Sequence, residues 1–178
     1  YAQIPVHVRR NLRLIVNCGM RLSNLINDIL DYAHLKQGNI ALQIQPVSLW
    51  RSVEMVFKVL HPLARRKGIE LRQSVAENFT PVLADQDRLQ QILTNLIGNA
   101  IKFTEKGYVE VLSREISKDL AEIEVRDTGV GIAPQDHERI FEMFQQVDSA
   151  VAGRGTVGTG IGLSLTRKLV QMHGGQIR

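Results

Sequence analysis

Apolar or small residues recur along the first part of the chain at Val8, Leu12, Ile15, Gly19, Leu22, Ile26, Ile29 and Ala33, in alternating steps of four and three. This spacing is a heptad seam and predicts one long helix of about 40 Å. Leu25 and Leu30 widen the seam to the breadth of a bundle contact. One helix cannot bury such a stripe against itself, so a partner helix outside this chain, or a second copy, is implied. Gly38 is its stop signal. Beyond it Ile40, Leu42 and Ile44 alternate with Ala41, Gln43 and Gln45, the period of a strand. Ser48 then caps a helix carrying Leu49, Val53, Val56 and Leu60. Residues 69–75 read as a second strand, and Asp85 caps a helix with Leu89, Ile92, Leu93, Leu96, Ile97 and Ala100 at core-facing spacing. A hairpin follows over 108–115 and 120–126, then a short helix after Pro134, a glycine-dotted stretch over 145–157, and a last helix over 160–172 ending at Gly174-Gly175. Helices intermixed with an antiparallel hairpin predict an α+β, two-layer sandwich rather than a doubly wound parallel sheet.

Composition narrows the class. At 178 residues the chain fits one domain plus an appendage, and 44% hydrophobic with 22% charged residues excludes a disordered chain. No apolar run reaches the roughly 20 residues of a membrane span, and no charged-then-greasy leader opens the sequence. A soluble, cytoplasmic piece without membrane contact is expected, whether or not the parent protein is anchored. The sequence starts at Tyr1 and stops at Arg178 where the pattern after Gly174-Gly175 reads as the start of a strand, so a piece cut at both ends is expected. Cys18 stands alone, which rules out an internal disulfide, and its helical setting suggests a small buried residue. The net charge of +4, with Arg9, Arg10 and Arg13 close together and Arg65-Arg66-Lys67 in a row, raises nucleic acid as a partner. No basic stripe is interleaved with stacking aromatics, and Arg65 to Lys67 sit where a helix ends before Gly68, serving its dipole and carbonyls, so no nucleic-acid partner is expected.

The candidate chemistry lies elsewhere. Asn95, Asn99 and Lys102 form one row of the third predicted helix, opposite its greasy face. An amide oxygen can ligate magnesium, while an NH₂ group and a lysine can hold phosphate oxygens, so the row is half a site for a nucleoside triphosphate. Asp127 ends a strand ahead of Thr128, Gly129, Gly131 and Ile132. Its carboxylate can accept from an exocyclic amine such as adenine's, and the glycines permit close approach of backbone; a plain Asp-Gly turn is the bland alternative. Gly158, Thr159, Gly160, Ile161, Gly162 and Leu163 lead into the last helix, whose free amides can bind an anion. Gly153, Gly155 and Gly158 also satisfy a dinucleotide fingerprint, but no strand precedes them. Phe141 and Phe144 suit the hinge of a mobile loop, in which Arg154 could reach a phosphate. The five histidines and Cys18 show no metal-ligand spacing.

In this order and context the motifs resemble those of the catalytic ATP-binding domain of sensor histidine kinases in two-component systems. Residues 95–104 are similar to that family's N box, 127–132 to its G1 box, 141–144 to its F box and 158–163 to its G2 box, while residues 25–33 resemble the second helix of its dimerisation hairpin. The resemblance implies the Bergerat-type fold shared with gyrase, the Hsp90 chaperones and mismatch-repair ATPases, a mixed sheet with helices on one face, preceded here by the long helix. It divides the chain into residues 1–37, half a hairpin without its acceptor helix, and residues 38–178, a catalytic domain cut at its last strand. It implies ATP and Mg²⁺ as cofactors, Asn99 as the metal ligand, Asn95 and Lys102 on phosphates and Asp127 on the adenine amine. Phe103, Thr128, Ile132 and Leu163 would wall the base, and the loop over 158–162 would wrap the triphosphate. Two departures stand out: Val157 replaces a further glycine, and His7, followed by Val8, lacks the acidic residue and proline that follow the family's phosphoacceptor.

Hydrolysing relatives carry a glutamate four residues before the magnesium asparagine, as general base for water. Asn95 holds that place here, and an amide cannot take the proton. The expectation is therefore phosphoryl transfer to a histidine supplied in trans by the hairpin of the same or a partner subunit, within a homodimeric parent and ahead of a response regulator receiver domain. Asn95, Lys102 and Arg154 are the expected catalytic groups. A nucleotide-sensing module without transfer, and a chaperone-like or topoisomerase-like ATPase, stay open as alternatives.

Overall fold

The computed structural model describes residues 5–36, 41–145 and 160–178, with only part of the side chains of the first helix. Gly38, Arg154, Val157, Gly158 and Thr159 lie outside the described residues. Contacts divide the chain into two units, Tyr1–Ile40 and Ala41–Arg178.

The first unit is the single helix α1, Val6–Lys36. Its seam is in the open: Leu12, Ile15, Leu22, Ile26 and Ile29 are all exposed. Cys18 is exposed as well, contrary to the buried setting expected for it, because no second helix among the described residues of its unit covers it.

The second unit opens with β1, Gln45–Val47, and α2, Leu49–Lys67. Ser48 caps α2 by accepting from Arg51 N, and Gly68 closes it at φ +68°, the left-handed conformation that glycine adopts without strain. Then come β2, Ile69–Ser74, β3, Val82–Ala84, α3, Gln86–Phe103, β4, Gly107–Ser117, and β5, Leu120–Asp127. Two 3₁₀ turns, Pro134–Asp136 and Arg139–Phe141, lead towards α4, Gly162–Met172.

β4 is central, with β2 parallel on one side and β5 antiparallel on the other, in register Leu71↔Val109 and Val111↔Val125. Alternation puts Ile69, Leu71, Val109, Val111, Ile123 and Val125 on the core face. Glu70, Arg72, Arg114, Glu124 and Arg126 occupy the other face, in cross-strand or local ion pairs such as Arg72–Glu70 at 2.7 Å. α2 and α3 cover the core face with Leu49, Val53, Val56, Leu89, Leu93, Ile97 and Ile101, and α4 packs beside α3. This is the mixed-sheet sandwich with helices on one face that was expected.

Two boundaries differ, and one strand, β3, was not expected. Among its described residues the alternating stretch before Ser48 forms a strand only from Gln45, in β1, paired with the three-residue β3, which its length hid from any periodicity argument. Ahead of β1, Gln43 N donates instead to the Asp85 carboxylate at 2.9 Å. α4 starts at Gly162 rather than Gly160, since Gly160 takes φ +70°, incompatible with a right-handed helix.

Candidate functional site

Asp85 fixes the start of α3. Its Oδ1 accepts from Asp87 N and Arg88 N, both at 3.1 Å, and its own N–H donates to Nε2 of His173 at 3.1 Å. His173 Nδ1 in turn donates to Leu169 O at 2.8 Å, so one neutral imidazole ties the end of α4 to the cap of α3. Burial alone would raise the Asp85 pKa, but N–H groups of Gln43, Arg88 and Asp87 outweigh it and hold the carboxyl below its ordinary value.

The row on α3 is half-buried at Asn95, Asn99 and Lys102. Asn95 Nδ2 donates to Thr166 Oγ1 at 2.8 Å, and Asn99 Nδ2 points to Asn95 Oδ1 at 3.4 Å. Gly162, one turn before Thr166 on α4, lies so close that a Cβ there would collide with Asn95 Oδ1. Lys102 Nζ sits 4.6 Å from the Phe103 ring centroid. Of this row Asn95 meets the start of α4, next to the fully buried Ile161 and the half-buried Leu163, while Asn99 reaches it only through Asn95.

At the other end of α3 lies the loop after β5. Asp127 is exposed, and its Oδ1 accepts from Gly129 N at 2.7 Å. A Cβ on Gly129 would stand 2.6 Å from Phe103 O, so only glycine lets this loop rest on the last residue of α3. Thr128 turns its hydroxyl to the backbone, accepting from Tyr108 N at 3.0 Å. Ile132 and Phe144 are largely exposed, and Gly131 and Phe144 have positive φ. Phe144 N donates to Gly160 O at 2.9 Å, which brings the end of the F-box-like stretch to the loop that enters α4.

Residues 84–178 match the family described as histidine kinase-, DNA gyrase B-, and HSP90-like ATPase. The chain belongs to this family. It is 40% identical over 174 residues to the signal transduction histidine-protein kinase BarA of Escherichia coli, covering 95% of this chain and 19% of BarA. It is 40% identical over 172 residues to the circadian input-output histidine kinase CikA of Synechococcus elongatus, covering 96% of this chain and 23% of CikA. Full-length ShkA, crystallised in complex with AMPPNP, superposes with a TM-score of 0.82 at 35% identity over 97% of this chain and 35% of that one. The chain thus spans about a fifth of the length of the curated relatives it matches, and within them it corresponds to the ATP-binding catalytic domain of a histidine kinase.

Within the second unit, three contributors escaped the sequence reading. Lys67, expected to serve its own helix, instead donates through Nζ to Ile101 O, Lys102 O and Thr104 O at 2.7, 2.8 and 2.8 Å, closing the C-terminus of α3 beside the site. Thr166 reaches Asn95 from a helix that begins after the glycine-rich stretch. His173 was one of five histidines without a recognisable pattern. Each acts on a partner 34 or more positions away, and no local spacing signals that.

Proposed function

We propose that this chain is the nucleotide-binding half of a phosphotransfer machine, which holds Mg-ATP and delivers its γ-phosphate to a histidine carried on a helical hairpin of the same or a partner subunit. The observation that carries the reading is α3 itself. It touches α4 at Asn95 and the Asp127 loop at Phe103, eight residues and so about 12 Å apart along the helix axis. One rigid element thereby sets the phosphate end of the pocket against its base end.

In this reading Asp127 accepts from the adenine amine through Oδ2, since Oδ1 is engaged by Gly129 N. Phe103, Thr128, Ile132 and Leu163 flank the base. Lys102 and the amides around Gly160–Gly162 meet the phosphates, helped by Gly158, Thr159 and Arg154 on sequence grounds alone. Magnesium fits the donor set: with Asn99 Nδ2 turned to Asn95, Asn99 Oδ1 faces away, and one neutral oxygen plus substrate phosphates and waters is an ordinary magnesium site. Bound there, the ion would neutralise the charge of the departing diphosphate.

Asn95 favours transfer over hydrolysis. Both ends of its amide are engaged, by Thr166 and by Asn99, and neither end can take a proton from water. An imidazole nitrogen instead attacks the γ-phosphorus, a P–N bond forms, and the bond to the bridging oxygen breaks to release ADP. The acceptor comes from outside residues 1–37, which resemble only half a hairpin; a homodimeric parent and a response regulator receiver complete the scheme. Among the described residues no helix is long and apolar enough to cross a membrane. Incubating the chain with a separately expressed acceptor hairpin of its parent and γ-labelled ATP should leave acid-labile label on the hairpin. Steady phosphate release with an unlabelled hairpin would instead mark an ATPase.

A further inference from the structure

Three carbonyls converge on one ammonium at the end of α3. Lys67 Nζ donates to Ile101 O, Lys102 O and Thr104 O at 2.7, 2.8 and 2.8 Å, so its three N–H bonds are all engaged there. An ammonium only donates and a carbonyl only accepts, so each of these bonds runs one way. Ile101 and Thr104 are fully buried, and the last carbonyls of a helix have no partners within it; an amine from the end of α2 supplies them. Phe103 O is not one of the three. It lies against Gly129, where a Cβ would stand 2.6 Å from it. The loop after β5 rests on the same segment a second time: Thr128 Oγ1 accepts from Tyr108 N at 3.0 Å and donates to Lys106 O at 3.2 Å, and a Cβ on Gly107 would overlap that hydroxyl. Asp127 Oδ1 in turn accepts from Gly129 N at 2.7 Å. Direct contacts thus run from the Lys67 ammonium through the end of α3 and Gly129 to the Asp127 carboxylate.

We propose that Lys67 is a positioning residue for base recognition: by holding the end of α3 it fixes where Asp127 presents its carboxylate, and so sets the preference for adenine over other bases. The inference rests on the nucleotide-site reading above and assigns a role to a residue that precedes every nucleotide-site motif of the sequence. Without the ammonium the three carbonyls face one another with no donor between them, water enters, and the last turn of α3 loosens. The loop that rests on Phe103 O follows it, and Asp127 no longer meets the adenine amine in line. Contacts to the phosphates, Lys102 included, are common to all nucleoside triphosphates, so any change in them weighs equally on every base.

The test is competition binding of ATP and GTP to the full chain. The ratio of the two affinities is independent of the folded fraction and of every phosphate contact, so a variant that is merely destabilised keeps the wild-type ratio. Lys67→Met, which keeps the stem and removes the ammonium, should lower the ATP-over-GTP preference about fivefold, the worth of one hydrogen bond to the base. Lys67→Cys should lower it likewise, and aminoethylation of that cysteine, which rebuilds an ammonium on a side chain of nearly lysine length, should restore it. The cysteine variant is made with Cys18→Ser, since Cys18 is the one other thiol in the chain. A wild-type preference retained in Lys67→Met overturns the inference and leaves the function proposed above standing; a wild-type chain that binds neither nucleotide, or both alike, overturns the base-site reading with it. If Lys67→Met does not fold, Lys67→Cys before and after aminoethylation decides: a preference that rises on modification supports the inference, and one that does not change overturns it.

Discussion

Asp127 divides its two oxygens between the protein and the solvent-facing side of the loop: Oδ1 holds Gly129 N at 2.7 Å, and Oδ2 has no partner among the described residues. In Asp127→Asn the amide oxygen keeps the bond to Gly129, because the alternative sets NH₂ against N–H. An NH₂ donor then stands where the carboxylate offered an acceptor to the adenine amine. Donor meets donor, and ATP affinity should fall by about ten- to a hundredfold, the cost of roughly 1–3 kcal/mol for an unsatisfied polar pair. A guanine base, which presents a carbonyl at that position, should lose far less. Competition binding of ATP and GTP therefore checks the assignment, and an unchanged ATP-to-GTP preference would remove Asp127 from the base pocket. The place of Asp127 was readable from the sequence since that signal is local, a carboxylate at a strand end followed by glycines. Thr166 was not readable, because its hydroxyl gains meaning only when α4 is laid against α3.

α3 shows which features of an element the sequence can carry. Its apolar face, its Asp85 cap and the row of Asn95, Asn99 and Lys102 all follow from spacing within eighteen residues and were legible. Its closing group was not, since Lys67 arrives from the end of α2 and a basic residue there has an equally good use on its own helix. β3 was missed for a different reason: three residues hold too little of a period to announce a strand. The Asp85 cap also gives α3 a dependence on pH. Desolvation opposes ionisation, three backbone N–H donors outweigh it, and the folded carboxyl titrates below its ordinary value. A depressed folded pKa contributes stability that is complete above the unfolded value and lost as pH falls through the folded one. Thermal unfolding should therefore drop between about pH 4 and the lower pKa in wild type. Asp85→Ala should cost about 1 kcal/mol at neutral pH, as for other lost helix caps, and flatten the acid limb of the melting curve. Equal acid limbs in the two proteins would show that the cap is not titrating there.

At the scale of the molecule the two units carry different kinds of surface. Ala41–Arg178 buries its apolar side chains between α2, α3 and the sheet, whereas α1 leaves Ile15, Met20 and Leu22 at 66%, 63% and 60% exposure. A stripe of that kind is unfavourable in water by tens of calories per mole for each square ångström, and it is relieved when another helix with the same heptad covers it. Every group that the nucleotide-site reading places on ATP lies beyond Ala41, so that reading and association through the α1 stripe are testable on separate parts of the chain. A shortened protein beginning at Ala41 should sediment as a monomer at concentrations where the full chain self-associates, with ATP affinity within about twofold of the full chain, since the capping and core contacts of α3 are all retained. Analytical ultracentrifugation and calorimetry on the two proteins measure both quantities. Loss of nucleotide binding in the shortened protein would mean that α1 contributes to the site, and persistent self-association would move the interface off the heptad seam and onto the catalytic unit.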